Sequence, residues 1–285
     1  MADVQRQLRA LLAGKEILLA PGAYDGMGAK LIEKAGFPVV YATGGGIARS
    51  MGFPDLGLLS FTEVLHRVKE IVRATTLPVI ADADTGYGSA VNVIRTVREF
   101  EDAGVAALHI EDQIFPKRCG HYEGHSLISS EEMAGKIEAA ASARKEPATV
   151  IIARTDARSV YGLEEAISRA RLFLRAGADA IFIEAPGNLA EIETILKEIK
   201  APLVYNMTES GKSPMLPVAK LAALGFKIVL FPSDLQRAFI GAGKRVLAAR
   251  LDGDVGSLEG MSSFKERDEL VGLETYLELE KRYVR

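Results

Sequence analysis

The sequence predicts an α/β fold, a closed (β/α)8 TIM barrel followed by additional C-terminal helices. Three observations carry that expectation. Eight short runs rich in apolar and β-branched residues recur, around 17–22, 38–43, 78–83, 106–111, 149–154, 179–184, 202–206 and 227–232. Between them lie segments with apolar residues at helical spacing, and regular strand–helix alternation argues for a parallel sheet. The 285 residues suit the ~250 that such a barrel occupies. An open doubly wound sheet is the structural rival.

The first run leads into Tyr24-Asp25, and Lys34-Ala35-Gly36 closes the segment that follows. Helical spacing runs from Phe61 to Thr75, Val91 to Ala103, Glu131 to Ala143, Leu163 to Ala176 and Leu189 to Ile199. Asp102-Ala103-Gly104 and Arg175-Ala176-Gly177 repeat the glycine stop, since glycine takes the left-handed conformation that ends a helix. Pro38, Pro78 and Pro202 stand at or just before strand starts, where a missing N–H costs little. No linker divides the chain, so residues 1–285 are expected to form one barrel domain. Residues 250–285 read as a helical extension, with one helix from Lys265 to Arg282. A helix beyond the eighth unit often packs on a neighbouring subunit, so an oligomer is expected.

Composition narrows the class. Lys and Arg number 35 against 38 Asp and Glu, a net charge of −3, and no basic run suggests nucleic acid. A hydrophobic content of 48% supports a sizeable core. One cysteine rules out an internal disulfide framework and suits a reducing cytosol. The charged N-terminal segment lacks the apolar stretch of a secretory signal. No apolar run approaches the ~18 residues of a membrane span. A soluble cytoplasmic protein is expected.

In a barrel of this kind the active site lies at the C-terminal ends of the strands. Here nearly every predicted strand ends in polar or reactive groups: Tyr24-Asp25; Tyr41 and Thr43; Asp82-Ala83-Asp84; Glu111-Asp112; Arg154-Thr155-Asp156; Glu184; Asn206; Ser233-Asp234. Helix capping accounts for Asp25, Asp156 and Ser233. It does not account for Asp82, Glu111, Arg154 and Glu184, which lie within apolar runs. Buried charges persist when paired or metal-bound, so this ring implies a metal or an anionic substrate. Asp82 and Asp84 fall on one side of an extended strand, and Glu111 completes an oxygen set suited to Mg2+ or Mn2+. Gly44-Gly45-Gly46 can bring backbone N–H groups close to an anion, or simply make a turn. Arg154 and Arg237 are candidate carboxylate clamps, although Arg237 equally reads as a solvated helix residue. His66 and His109 read as structural; His121 and His125 lie in a loop that could be functional.

The only cysteine lies in Pro116-Lys117-Arg118-Cys119-Gly120-His121. Nearby cations stabilise a thiolate, so Cys119 is expected to be a usable proton donor or nucleophile. The bland alternative is a small buried hydrophobe. Lys-Arg-Cys-Gly-His is a poor core sequence.

At this point the chain resembles the isocitrate lyase / phosphoenolpyruvate mutase superfamily over nearly its whole length. The strings that carry the likeness are Pro54-Asp55-Leu56-Gly57, Asp82 to Gly88, Ile110 to Gln113, Lys117 to His121, Ala153 to Ala157 and Asn206 to Glu209. The resemblance, strongest to the lyase branch, implies a Mg2+-dependent barrel enzyme with Mn2+ possible, commonly a homotetramer with terminal helices exchanged between subunits. It implies retro-aldol cleavage of a 2-hydroxy di- or tricarboxylate, of 2,3-dimethylmalate or 2-methylisocitrate type, to a 2-keto acid such as pyruvate plus a carboxylic acid. Carboxyphosphonoenolpyruvate phosphonomutase or an oxaloacetate-processing activity is the alternative. Asp82, Asp84 and Glu111 are then the metal residues. Cys119 is the acid, supported by Lys117, Arg118 and His121, with Tyr41 a candidate base. Thr43, Gly44, Gly45, Asp55, Gly120, Arg154, Glu184, Asn206, Thr208 and Arg237 are the substrate contacts. Where tricarboxylate-cleaving members carry a tail arginine, this chain has Phe264, which suits an alkyl group.

Overall fold

Each of the eight apolar runs is a strand in the computed structural model, which describes residues 2–120, 122, 124–256 and 258–284. The strands are β1 Leu18–Ala23, β2 Val40–Ala42, β3 Val79–Asp82, β4 Ala107–Glu111, β5 Val150–Thr155, β6 Ala180–Ile183, β7 Val204–Asn206 and β8 Ile228–Phe231. All seven ladders between them are parallel, in the order β6-β5-β4-β3-β2-β1-β8-β7. Pairing of β1 with β8 excludes the open doubly wound sheet. The seam between β6 and β7 is thinner. A single bridge, Ile181 with Leu203, crosses it, and Ile181 N–H donates to Pro202 O at 3.0 Å.

The helices are α1 Ala2–Ala13, α2 Gly26–Lys34, α3 Gly44–Ser50, α4 Phe61–Arg73, α5 Ala90–Ala103, α6 Ser130–Ala143, α7 Ala157–Tyr161, α8 Leu163–Arg175, α9 Leu189–Glu198, α10 Val218–Leu224, α11 Asp234–Leu251, α12 Phe264–Val271 and α13 Leu273–Tyr283. α4 starts at a reciprocal cap in which Ser60 and Glu63 satisfy each other's backbone N–H. Gly104 ends α5 at φ 94°, in the left-handed conformation expected of it.

Two apolar layers form. The outer one lies between strands and helices, and includes Val40, Val68, Phe100, Ile151 and Phe173. The inner one fills the barrel at its N-terminal end, where Leu18, Ile80, Ile152 and Phe182 meet Leu8 of α1. α1 stoppers that end: Gln5 Nε2 donates to Val105 O at 3.1 Å and Arg9 pairs with Asp179 at 2.9 Å. Burying this apolar surface is the main force closing the barrel.

The tail departs from the expected single helix. Gly272, at φ 74°, ends α12 and starts α13, so Lys265 to Arg282 is two helices. A residue with a Cβ is strained at that φ, which is why the chain turns there. α11 leaves large apolar side chains exposed, Leu247 at 72% and Phe239 at 67%. α12 touches α2 of the same chain. No helix among the described residues is long and apolar enough to cross a membrane.

Candidate active site

The strand ends surround a cavity of about 420 Å3. Fourteen candidate site residues from the sequence line it: Tyr41, Thr43, Gly45, Asp55, Asp82, Lys117, Arg118, Cys119, Gly120, Arg154, Glu184, Asn206, Thr208 and Arg237.

On one side is an acidic cluster. β3 ends at Asp82, and the chain then turns, with Asp84 at φ 47° and Gly86 N–H donating to Ala83 O at 2.8 Å. The two aspartates therefore converge through a turn and not through strand alternation. Asp84 N–H donates to Asp82 Oδ1 at 3.0 Å. Lys117 reaches in from its loop, with Nζ 2.6 Å from Asp55 Oδ1 and 2.7 Å from Asp84 Oδ1. Its ammonium thus points to carboxylates. Burial pushes Asp84 up to about 6, and Asp82 and Asp55 add to that against Lys117. Burial also raises Glu111 well above the carboxylate range, with Asp156 and Asp82 contributing against Arg154 and Lys117. Burial would raise Asp82 too, but His109, Lys117, Arg154 and the Asp84 N–H hold it at about 2. Burial brings His109 down to about 4. At neutral pH it is uncharged, and Nε2 can accept from Tyr41 OH, 2.9 Å away. Burial and Asp82 push the Tyr41 phenol well above its ordinary range.

On the other side is Arg154. Its Nε and Nη2 each donate to Asp156 at 3.0 Å, and Glu111 and Glu184 lie at 3.3 Å. The guanidinium also covers the Phe182 ring at 5.0 Å. Asp156 begins α7 without capping it; its carboxylate serves Arg154 instead. Behind it, Asp112 accepts from Thr155 OH at 2.6 Å, Asp156 N–H at 3.0 Å and Arg169 Nη1 at 3.0 Å. Asn206 Nδ2 donates to both oxygens of Glu184, at 3.0 and 3.3 Å, and Thr208 OH donates to Asn206 Oδ1 at 3.3 Å.

The loop after β4 folds over this cavity. The Gln113 amide brackets Arg118, accepting from its N–H and donating to its C=O, both at 2.9 Å. Cys119 N–H donates to Asp55 O at 3.2 Å, and His125 Nε2 is 2.9 Å from Cys119 O. Gly120 rests on the Arg154 cluster: a Cβ there would lie 2.6 Å from Arg154 Nη2 and 2.8 Å from Glu184 Cγ. His121 lies outside the described residues.

Three of the sequence candidates are placed as follows. Gly44-Gly45-Gly46 opens α3, where Gly44 N–H is directed to Asp82 Oδ2 at 3.3 Å and Gly46 N–H to the Thr43 cap at 3.3 Å. Arg237 is half-exposed and pairs with Glu209 at 3.2 Å. Phe264 is 76% exposed at the start of α12 and lines no part of its own chain's cavity. The cavity also contains residues that sequence reading passed over, notably Arg49, Tyr122, Phe182, Leu230, Pro232 and Ile240. Arg49 was legible only through its spacing of four from Gly45.

The buried cluster holds six carboxylates, Asp55, Asp82, Asp84, Glu111, Asp156 and Glu184, against two cations, Lys117 and Arg154. Among the described residues, Glu111 Oε1 and the hydroxyls of Thr85 and Tyr87 are buried without hydrogen-bond partners. Surplus carboxylate and orphaned oxygen suit a divalent cation. Among the described residues no three acidic, His or Cys side chains converge to ligate one ion directly. The donor set therefore fits a small hard ion that keeps most of its waters.

An eight-stranded parallel barrel with this mouth is an enzyme of the phosphoenolpyruvate mutase / isocitrate lyase class. The chain belongs to that family, whose model, described as phosphoenolpyruvate phosphomutase, matches residues 8–251. It is 45% identical over 280 residues to 2,3-dimethylmalate lyase of Eubacterium barkeri, covering 97% of each chain. It is 48% identical over 240 residues to 2-methylisocitrate lyase of Aeropyrum pernix, covering 84% of this chain and 77% of that protein. The crystal structure of phosphonopyruvate hydrolase complexed with oxalate and Mg2+ superposes with a TM-score of 0.90, at 36% identity over 99% of both chains.

Proposed function

We propose that this enzyme is a C–C lyase for 2-hydroxy dicarboxylates of the 2,3-dimethylmalate type, with 2-methylisocitrate-type tricarboxylates second. The observation that carries this reading is the apolar part of the cavity lining. Phe182, Leu230, Pro232 and Ile240 line the same cavity as Arg154 and Cys119, and an apolar wall there suits an alkyl substituent. Phe264 does not carry it, since it lies outside its own chain's cavity.

Asp82, Asp84 and Glu111 would hold Mg2+, or Mn2+ in its place. When bound, the ion lowers the pKa of the substrate hydroxyl and stabilises charge developing on oxygen. Arg154 orients the 2-hydroxy-acid end through charge-assisted hydrogen bonds. Tyr41 receives the hydroxyl proton as it passes its own to neutral His109. The bond between C2 and C3 breaks, and its electron pair moves into the departing acid as an enediolate. Cys119 S–H donates a proton to C3, leaving a thiolate in the cavity that Arg118 also lines. Gly120, seated on Arg154, excludes water, so the enediolate is protonated by the thiol. Thr43, Asn206 and Thr208 supply further polar contacts to the substrate.

We also infer exchange of the C-terminal helices within a homotetramer. Support comes from the exposed apolar side chains of α11 to α13 and an apolar groove lined by Leu19, Pro21, Leu31, Phe37 and Leu235. A monomeric mass by light scattering would remove that inference.

The test of function is pyruvate release with Mg2+ from 2,3-dimethylmalate, 2-methylisocitrate and citramalate, read by coupled lactate dehydrogenase with an EDTA control. EDTA-sensitive release, highest with 2,3-dimethylmalate, is the expected result. No pyruvate from any of the three overturns the lyase reading.

A further inference from the structure

Arg49 and Arg237 are the cavity cations for which the reaction above has no task, and Arg237 is already paired with Glu209. Arg49 lies in the last turn of α3, four residues after Gly45, so the two share a helix face. Gly45 gives it passage. A Cβ at that position would lie 2.9 Å from Arg49 Nη1 and 2.7 Å from Asp55 Oδ2. The guanidinium crosses the bare backbone of Gly45 and reaches the cavity lined also by Cys119 and Tyr122.

Its partners set it apart. Lys117, Arg154 and Arg237 each have a carboxylate within ion-pair distance. Arg49 forms no ion pair among the described residues; Tyr122, on the loop that carries Cys119, lines the same cavity. Burial acts to lower its pKa, and Tyr122, Asp55 and Cys119 outweigh burial, which places all three groups within its field. Arg154 cannot serve a second carboxylate equally well, since three carboxylates already occupy its donors.

We propose that Arg49 binds the carboxylate of the departing acid fragment, next to Cys119, and so selects 2-hydroxy acids that carry a carboxylate on the carbon released. The proposal rests on the lyase reading. In that reaction the electron pair of the broken C–C bond flows from C3 into this carboxylate. A planar guanidinium matches both oxygens as their charge grows. Cys119 then delivers its proton to the adjacent carbon, from a loop whose Tyr122 lines the same cavity as Arg49. Charge stabilisation and proton delivery thus meet at one fragment of the substrate.

The experiment uses the full-length enzyme, with Arg49→Gln and Arg49→Lys. Two unreactive probes separate the ends of the site. Oxalate fills only the 2-hydroxy-acid end, whereas succinate has the two-carboxylate spacing of malate. Loss of a charged hydrogen bond predicts that Arg49→Gln binds succinate about tenfold or more weakly while oxalate stays within about twofold. On 2,3-dimethylmalate, kcat should fall about a hundredfold, the scale of losing a group that stabilises a developing anion. Arg49→Lys should recover part of both. Melting temperatures near wild type confirm that the variants fold. Equal weakening of both probes, or no change in succinate binding, overturns the proposal. If wild type releases no pyruvate yet Arg49→Gln selectively loses succinate, the lyase reading falls and the carboxylate clamp stands. If wild type releases pyruvate and Arg49→Gln matches it with both probes, the clamp falls and the reading stands.

Discussion

The half of the cavity built on β5, β6 and β7 and the half carried by the loop after β4 reach the same space by opposite means. Arg154 is fixed from behind by buried charge: Asp156 holds it, Asp112 holds the Asp156 backbone, and Arg169 of α8 holds Asp112. Asp112 and Asp156 are fully buried. Cys119 sits on a segment held by the Gln113 amide, a few backbone hydrogen bonds and the Lys117 ion pairs. The difference is that Arg154 is braced through a chain of buried charges running back to α8, while Cys119 has its buried charge two residues away, at Lys117, and only hydrogen bonds nearer by. Local opening costs least where few apolar contacts are buried.

Asp112→Ala tests the braced half most severely. It removes a buried partner of Arg169, which keeps Glu165 and Ile128 O, and leaves Thr155 OH and Asp156 N–H unsatisfied, so denaturant unfolding should show a loss of about 3–5 kcal/mol, the scale of breaking a buried pair. Turnover should fall with it. A loss below about 1 kcal/mol, the worth of a single hydrogen bond, would break the comparison. Cys119→Ser tests the loop half. Pyruvate release should drop about 10²- to 10⁴-fold, the usual range for a lost acid, with oxalate affinity and melting temperature nearly unchanged. Full turnover in that variant would remove the proposed proton donor. Gln113→Ala should be the mildest. Losing two hydrogen bonds to Arg118 should lower kcat about three- to thirtyfold by loosening the loop, at roughly 1 kcal/mol per bond. Stability should barely move; a melting point as depressed as that of Asp112→Ala would show the loop to be core-braced after all.

The barrel was legible because a strand covered on both faces must be apolar along its length. Runs such as 78–83 and 106–111 are too short for a typical buried helix, which favours a strand. α1 escaped that reading because its stoppering depends on Leu8, Gln5 and Arg9 meeting distant backbone, which no local pattern records. The tail helix was read through Gly272 because glycine inside a helical pattern is ambiguous without its φ. In the site, Asp82, Glu111, Arg154 and Glu184 stood out as charge inside apolar runs. Asp156 did not, since an aspartate before a helix looks like a cap; its pairing with Arg154, two residues back, is a strand-end geometry. Arg49 lay among Ala48, Ser50 and Met51 and reads as a solvated helix residue until Gly45 opens its route inward.

The thin seam between β6 and β7 has a consequence for binding. Where the backbone supplies one bridge, the side chains of Glu184 and Asn206 join the two strands at the mouth. A ligand that grips both residues also fastens the barrel wall at its least hydrogen-bonded point. Occupancy and wall closure then become linked equilibria, each strengthening the other, and the substrate acts as a removable rivet in the wall that encloses it.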